Sequence, residues 1–312
     1  MLEGPTQKTP SPNKNNFFES PNVHKEHFLI EGAQVDAIDV MPENQKDEVP
    51  VLVAPGWGAT MKSFEPGIGV LAEAKRRVLS LDHPRKGGKD DADLREDMSK
   101  WCKKEGQDSP GWSLEELRKA ETILGLLDQK KVEKVDVIAH SEGAINVCIA
   151  AMLQPEKFIG RTIVLVNPAG MIGKDNIFRL QGGAGANKSR TETVSHIPVT
   201  EAETEYLKST KNITPEYINA GKIRTVKELY AISQARIEEM LRYLHKKGIR
   251  IIVMAGVEDT MFPMAGMQKN IKKDFIDGLV SVKGGHMQIQ VHPELYMGAA
   301  ESLLEKTKER VE

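Results

Sequence analysis

The sequence contains little cysteine, little net charge and no long apolar run. It has two cysteines in 312 residues, Cys102 and Cys148. Because Cys148 falls in a stretch typical of a buried helix, we expect no structural disulfide, and a reducing cytoplasm fits best. The net charge of −2 gives no reason to expect a nucleic acid or an anionic membrane as a partner. No apolar run approaches the roughly 18 residues of a membrane span.

The remaining composition is typical of a soluble globular protein. Hydrophobic residues make up 39% of the chain and charged residues 28%, which is enough apolar material for a large core. Residues 1–24 are an exception, because they carry four prolines and little that could be buried. We expect a flexible tail there. This stretch is polar and lacks the basic-then-apolar profile of a secretory signal.

Short apolar runs alternate with helical patterns along the chain. An alternating pattern over residues 28–40 predicts an antiparallel hairpin. Continuous apolar runs, typical of strands covered on both faces, lie at 50–54, 78–81, 135–138, 162–166, 250–255 and 278–282. Helices are predicted at 63–77, 93–104, 113–130, 144–152, 226–247 and 293–308. Strands that alternate with helices after a hairpin predict an α/β fold, with a mostly parallel sheet and helices on both faces.

Residues 171–225 break this rhythm. They hold a glycine-rich run at 182–185 and short helical patterns near 200–209 and 215–220. The glycine run lacks the Lys-Ser/Thr ending of a phosphate-binding loop and does not follow a strand. We therefore expect residues 171–225 to form a helical lid inserted above the sheet, between core segments 25–170 and 226–312.

One serine lies where a strand turns directly into a helix. The segment Ala139-His140-Ser141-Glu142-Gly143 separates a β-branched run from an apolar helix and leaves no room for a loop. Such a junction holds the serine in a tight turn with its hydroxyl clear of the backbone, as in the nucleophile elbow G-x-S-x-G. Ala139 replaces the first glycine and is small enough to permit the close approach of strand and helix. The alternative is an ordinary turn whose serine only caps the helix.

A base and an acid follow two later strands. A serine hydroxyl is a weak nucleophile and needs a base beside it, with a third group to orient that base. Past the strand at 250–255 comes Asp259, with Glu258 as second choice, and past the strand at 278–282 comes His286 after two glycines. Ligands bind at the carboxyl ends of such strands. The chain order of the three groups is Ser141, Asp259, His286.

These features together resemble the α/β-hydrolase superfamily. The resemblance covers about residues 28–308 and rests on four short motifs: Pro-Gly-Trp-Gly at 55–58, Ala-His-Ser-Glu-Gly at 139–143, Gly-x-x-Asp-x-x-x-Pro at 256–263 and Gly-Gly-His at 284–286. The chain departs from the family in two places. Pro55-Gly56 stands where His-Gly is common, and the loop at 82–89 lacks the family's Asp-x-x-Gly-x-Gly-x-Ser pattern.

The resemblance implies a serine hydrolase that cleaves a carboxylic ester or a related small acyl substrate. His286 would take the proton of Ser141 as it attacks an acyl carbon, and Asp259 would orient the imidazole. The backbone N–H groups of Trp57 and Glu142 would form the oxyanion hole. No cofactor and no metal are expected. Acyl transfer, amide or peptide cleavage and C–C bond hydrolysis use the same triad and stay open, as does a non-catalytic ligand-binding role. Oligomeric state is not predicted.

Other polar residues near these motifs are given structural interpretations. His140 is expected to pack rather than act as a base, because adjacent strand residues point to opposite faces. Asp82 and His83 lack a further ligand at suitable spacing, so no metal is expected there. The carboxylate of Glu142 is expected either to favour a cationic substrate or to be solvated or paired internally.

Overall fold

The structure is a computed structural model that describes residues 14–180, 182–183, 208, 212–271 and 275–305. Within these ranges the strands form one eight-stranded sheet. They are β1 (Val23–Ile30), β2 (Ala33–Val40), β3 (Asp47–Ala54), β4 (Arg76–Leu81), β5 (Asp136–His140), β6 (Thr162–Val166), β7 (Arg250–Gly256) and β8 (Gly278–Val282).

The sheet order is β1-β2-β4-β3-β5-β6-β7-β8. The hairpin strands β1 and β2 pair antiparallel, and β2 also runs antiparallel to β4. From β4 to β8 every neighbouring pair is parallel. The predicted hairpin and the mostly parallel sheet are therefore confirmed. Parallel strands place their carboxyl ends at one edge, so the loops after β3, β5, β6, β7 and β8 gather at that edge.

Helices cover both faces of the sheet, as predicted. They are α1 (Glu65–Glu73), α2 (Asp91–Glu105), α3 (Leu114–Gln129), α4 (Gly143–Leu153), α5 (Ile213–Ala220), α6 (Lys222–Gln234), α7 (Glu238–Lys246), α8 (Met264–Asn270), α9 (Gln288–Val291) and α10 (Pro293–Glu305). Alternate residues of β3 face opposite cores, since Leu52 packs with α2, α3, α4 and α7 whereas Val51 and Val53 pack with α1 and α10. None of the helices in the described ranges combines the length and the apolar character needed to cross a bilayer.

The start of α3 follows its sequence signature. Ser113 Oγ accepts a hydrogen bond from Glu116 N at 3.1 Å, and Glu116 Oε2 accepts one from Ser113 N at 3.0 Å. This reciprocal pair satisfies two backbone donors that a helix start leaves open. It fixes where α3 begins, and α3 packs directly against α4 behind the serine turn.

Two helices have bounds that differ from those predicted. The helix expected at 63–77 ends at Glu73, and Arg76 belongs to β4, where its buried guanidinium contacts Glu301 at 2.9 Å and Asp47 at 3.1 Å. The helix expected at 226–247 is two helices, α6 and α7, separated at Ala235, whose ψ of 142° is extended. The break has no proline or glycine to signal it, and Ile237 N donates instead to Gly170 O at 3.3 Å.

Part of the tail expected at residues 1–24 has regular structure. Lys14–Glu19 forms a 3-10 turn and β1 begins at Val23. Phe18 is buried, and its N–H donates to Glu65 Oε1 at 2.7 Å. The aromatic residues Phe17 and Phe18 pack against α1 and anchor the segment there. The prolines around them led to the prediction of a flexible tail. Residues 1–13 and 306–312, at the ends of the chain, lie outside the described residues.

About half of the lid expected at residues 171–225 lies outside the described residues, since residues 181, 184–207 and 209–211 are not among them. The described part of the stretch includes α5. Helix α6 begins at Lys222 and continues to Gln234, so the boundary expected between residues 225 and 226 falls inside a helix.

Candidate active site

Ser141 lies in a strained turn between β5 and α4. Its φ of 55° is in the left-handed region, which residues other than glycine seldom occupy. Two glycines make the turn possible. A Cβ on Gly143 would lie 2.5 Å from Ala54 O, and a Cβ on Gly56 would lie 2.7 Å from the Cβ of Ser141. The predicted elbow geometry is therefore present, with backbone packed against backbone on both sides of the serine.

His286 lies between Ser141 and Asp259. Its Nε2 is 3.0 Å from Ser141 Oγ, and its Nδ1 is 2.8 Å from Asp259 Oδ2. All three side chains are buried, with 6%, 2% and 4% of Ser141, His286 and Asp259 exposed. These distances are hydrogen-bond distances. The structure thus brings together the three residues that the sequence singled out, from loops after β5, β7 and β8.

The carboxylate of Asp259 is held from its other side. Its Oδ1 accepts hydrogen bonds from Met261 N at 2.7 Å and Phe262 N at 2.9 Å. Glu258, the second choice for the acid, donates its backbone N–H to Gly284 O at 3.0 Å. That bond ties the loop of the acid to the loop of the histidine. Asp259 is consequently oriented by two backbone donors while its second oxygen faces the imidazole.

Two residues that the sequence did not single out for the site hold the backbone of His286. The Asn167 side-chain amide donates to His286 O at 3.2 Å and to Gly285 O at 3.3 Å, and Asn167 Oδ1 accepts from Gly256 N at 2.6 Å. His140 Nε2 lies 2.9 Å from the same His286 carbonyl. Since a carbonyl only accepts, His140 carries its proton on Nε2. The signal for Asn167 was its place directly after β6, at the edge where ligands bind.

His140 has the packing role that was expected. Its ring lies 4.7 Å from the ring of His286 and 5.7 Å from that of Phe64, centroid to centroid. Burial, together with the nearby His286, lowers the pKa of His140 well below its ordinary range. The imidazole is therefore neutral at neutral pH. It supports the backbone of His286 without competing for the proton of Ser141.

The two predicted oxyanion donors lie in the expected loops. Trp57 follows β3, and Glu142 is the cap residue of α4. Within the described ranges, neither of these two backbone N–H groups donates to a protein acceptor. An assignment of both amides to an oxyanion hole remains a prediction.

The side chain of Glu142 is paired internally. Its oxygens lie 2.8 and 2.7 Å from Lys119 Nζ, which is also 3.1 Å from Glu228 Oε1 and 3.2 Å from the Tyr217 hydroxyl. Burial raises the pKa of Glu142 to about 7, with Lys119 opposing that shift. Of the two interpretations of this carboxylate, the internal pair is what the structure has, so Glu142 is not free to attract a cationic substrate.

Asp82 and His83 directly follow β4. Asp82 Oδ1 accepts from Met61 N at 2.6 Å, and no group of three metal-ligating side chains occurs in the part of the chain that the structure describes. Burial and the charge of Asp36 raise the pKa of Asp82 to about 7, against the effect of the Met61 hydrogen bond. Burial and the charges of Lys119 and Arg85 lower the pKa of His83 well below its ordinary range.

Comparison with known proteins places the fold. No family model matches the chain. A membrane phospholipase A, described as a bacterial virulence factor, aligns at 15% identity over 95% of this chain and 89% of its own, with a TM-score of 0.64. A bromoperoxidase from Bacillus anthracis aligns at 17% identity over 90% and 100%, with a TM-score of 0.62. An esterase from Exiguobacterium antarcticum aligns at 14% identity over 90% and 100%, with a TM-score of 0.60. At these identities the likeness concerns the fold.

Proposed function

The chain has the α/β-hydrolase fold, and on that premise we propose that it is a serine hydrolase. Its proposed substrate is a carboxylic ester or a related small acyl compound. The observation that carries the proposal is the hydrogen-bonded series from Ser141 Oγ through His286 to Asp259, with distances of 3.0 and 2.8 Å. The strained backbone of Ser141 supports it, because unfavourable backbone conformations cluster at functional sites.

In the proposed mechanism, Ser141 Oγ attacks the acyl carbon as His286 Nε2 takes its proton. Asp259 holds the proton on His286 Nδ1 and stabilises the imidazolium that forms. The negative oxygen of the tetrahedral intermediate receives hydrogen bonds from the amides of Trp57 and Glu142. Collapse of the intermediate breaks the bond to the leaving group, which departs with the proton of His286. Water then attacks the acyl-enzyme by the same route, giving up one proton to His286, and releases the acid and Ser141.

The choice of an ester over other acyl compounds rests on two supports. The charge of Glu142 is balanced by Lys119, so the residue beside the nucleophile offers no ion pair to a charged substrate. Two proteins with the same fold, a phospholipase and an esterase, carry names that refer to ester cleavage. We place the enzyme in the cytoplasm, without a cofactor, and assign control of access to the lid proposed at residues 171–225.

Ester hydrolysis by matched variants tests the proposal. With p-nitrophenyl acetate, Ser141→Ala and His286→Ala should each lower kcat by about 10³-fold or more with little change in melting temperature. The controls are Ser302→Ala and His24→Ala, which make the same substitutions at exposed positions and should leave kcat unchanged. If the purified, folded wild type hydrolyses no ester in a panel of graded acyl length, or if activity survives Ser141→Ala, the proposal is wrong.

A further inference from the structure

A basic groove lies between the core and the helix that follows the expected lid. Its volume is about 490 Å³, within the range of small-molecule sites. The walls come from the loop after β4, the starts of α2, α3 and α6, and the end of α5. Ser141 and His286 are not among the lining residues, so this groove is separate from the candidate active site.

Positive charge in the groove exceeds negative charge. Six cationic side chains line it against two carboxylates, Asp91 and Glu115. Glu115 contacts three of the cations: Arg118 Nη1 at 2.7 Å, Arg224 Nε at 3.3 Å and Lys227 Nζ at 3.9 Å. Asp91 contacts only Arg118 among the lining cations, at 2.7 Å from Nη2. A single carboxylate cannot neutralise three cations. Lys86 and Lys222 line the groove and are exposed, and they form no ion pair within the described ranges.

Arg224, which lines the groove, is fixed in place among other cations. Arg224 donates to Pro84 O at 2.7 Å and to Gly87 O at 3.1 Å, and only 18% of its side chain is exposed. Burial and the charges of Arg118 and Arg85 lower the pKa of Arg224, and the charges of Glu115 and Glu228 only partly offset them. A guanidinium held this way cannot swing into solvent to escape the repulsion. An anion in the groove would balance it.

Arg85 also lines the groove. Its Nη1 lies 2.6 Å from Glu228 Oε1, and its guanidinium lies over the ring of Tyr217 at 3.6 Å. Because Tyr217 also contacts Lys119, the partner of Glu142, the groove and the serine turn border the same buried network. Lys222 and Arg224 occupy the first turn of α6, which contains no acidic residue. Cations there oppose the helix dipole, a cost that an anion nearby would offset.

We propose that this groove binds a small molecule with a diphosphate or triphosphate group. Lysine ammonium groups bind phosphate oxygens as compact point charges, and the exposed Lys86 and Lys222 supply two of them. The arginines already donate to protein acceptors and add to the positive charge of the groove. The several unbalanced charges match a multiply charged group better than a single phosphate. A bound ligand would contact the loop after β4 and the start of α6 together, joining the core to the end of the expected lid. The proposal does not depend on the catalytic assignment of Ser141.

Calorimetric titration of the full chain with sodium pyrophosphate tests this, at an ionic strength held constant with sodium chloride. The wild type should bind, and Lys86→Ala/Lys222→Ala should weaken binding by about tenfold or more. The control Lys103→Ala/Lys104→Ala removes the same charge from the exposed end of α2 and should bind like the wild type. Both double variants should keep the circular dichroism spectrum of the wild type.

Three results would overturn the proposal. One is the absence of pyrophosphate binding by the wild type at matched ionic strength. Another is equal affinity for the Lys86→Ala/Lys222→Ala variant and the wild type. The last is citrate binding as tightly as pyrophosphate, which would show charge attraction without recognition of phosphate.

Discussion

Asn167 Nδ2 lies 3.2 Å from the backbone carbonyl oxygen of His286, so a residue after β6 holds the loop that presents the candidate base. The same side chain accepts from Gly256 N at 2.6 Å, at the end of the strand that leads to Asp259. Asn167 has a φ of 46°, a conformation that asparagine tolerates better than most residues. One amide therefore joins the loops of the proposed acid and the proposed base.

Replacing Asn167 by aspartate should impair catalysis through His286. The substitution keeps the preference for positive φ but turns an amide donor into a carboxylate that faces two carbonyl oxygens. We expect kcat for ester hydrolysis to fall roughly 10- to 100-fold with KM little changed. The added negative charge should also move the acidic limb of the pH–rate profile to higher pH, because it stabilises the imidazolium and the reaction needs neutral His286.

Asn44→Asp is the matched control, because Asn44 also has a positive φ, 53°, but is exposed. Its kcat and pH profile should equal those of the wild type. If Asn167→Asp lowered only the melting temperature and left both kinetic readouts unchanged, Asn167 would be a structural residue alone.

The serine turn should not tolerate a side chain at Gly143. A Cβ there would lie 2.5 Å from Ala54 O and 2.8 Å from Pro55 O, and Ala54 O cannot move without disturbing β3. Gly143→Ala should destabilise the fold by about 1–3 kcal/mol in urea denaturation. Gly298→Ala, inside α10 with nothing within 4 Å of the added carbon, should instead stabilise it by about 0.5–1 kcal/mol. Equal effects at the two positions would contradict this packing.

Asp82 should make stability fall as pH rises. Its pKa in the folded protein is about 7, against an ordinary value of 3.8, so the folded chain binds this proton more tightly than the unfolded chain. The destabilisation is therefore absent below about pH 4, grows up to about pH 7 and stays constant above that. Asp82→Asn keeps an acceptor for Met61 N and removes the charge. Its melting temperature should match the wild type at pH 4 and exceed it at pH 8; an equal difference at both pH values would assign the effect elsewhere.

The buried ion pair of Lys119 and Glu142 should show strong coupling. Lys119→Met leaves Glu142 without its cation and should cost about 3–5 kcal/mol. Glu142→Gln should cost less, because Lys119 keeps Glu228 at 3.1 Å. The double variant should be less destabilised than the sum of the single variants, as measured by urea denaturation. Additive costs would mean that the pair contributes little.

The sequence was most informative where a motif determines local geometry. The serine turn and the helix start at Ser113 depend on neighbouring residues, and the candidate acid and base follow strands that the pattern predicted. Each has the expected place in the structure. The parallel sheet followed from apolar runs that need cover on both faces.

What could not be predicted depends on contacts between distant segments. Asn167 meets Gly285 and His286 almost 120 residues later, and nothing in its local sequence specifies that contact. Helix α1 stops before Arg76 because that residue pairs with Glu301, 225 positions away. The break between α6 and α7 likewise depends on Gly170. The pairing of the Glu142 carboxylate could not be predicted, because its partner Lys119 lies on α3, 23 residues away.

The most direct measurement for the proposed hydrolase is labelling with a fluorophosphonate probe, followed by mass spectrometry of the tryptic peptides. In the wild-type protein, Ser141 should displace fluoride from the probe and gain one covalent phosphonyl group. His286→Ala should be labelled far more slowly, whereas Ser302→Ala should be labelled at the wild-type rate. A folded wild type that stays unlabelled at Ser141, or a label found on another residue, would contradict the account.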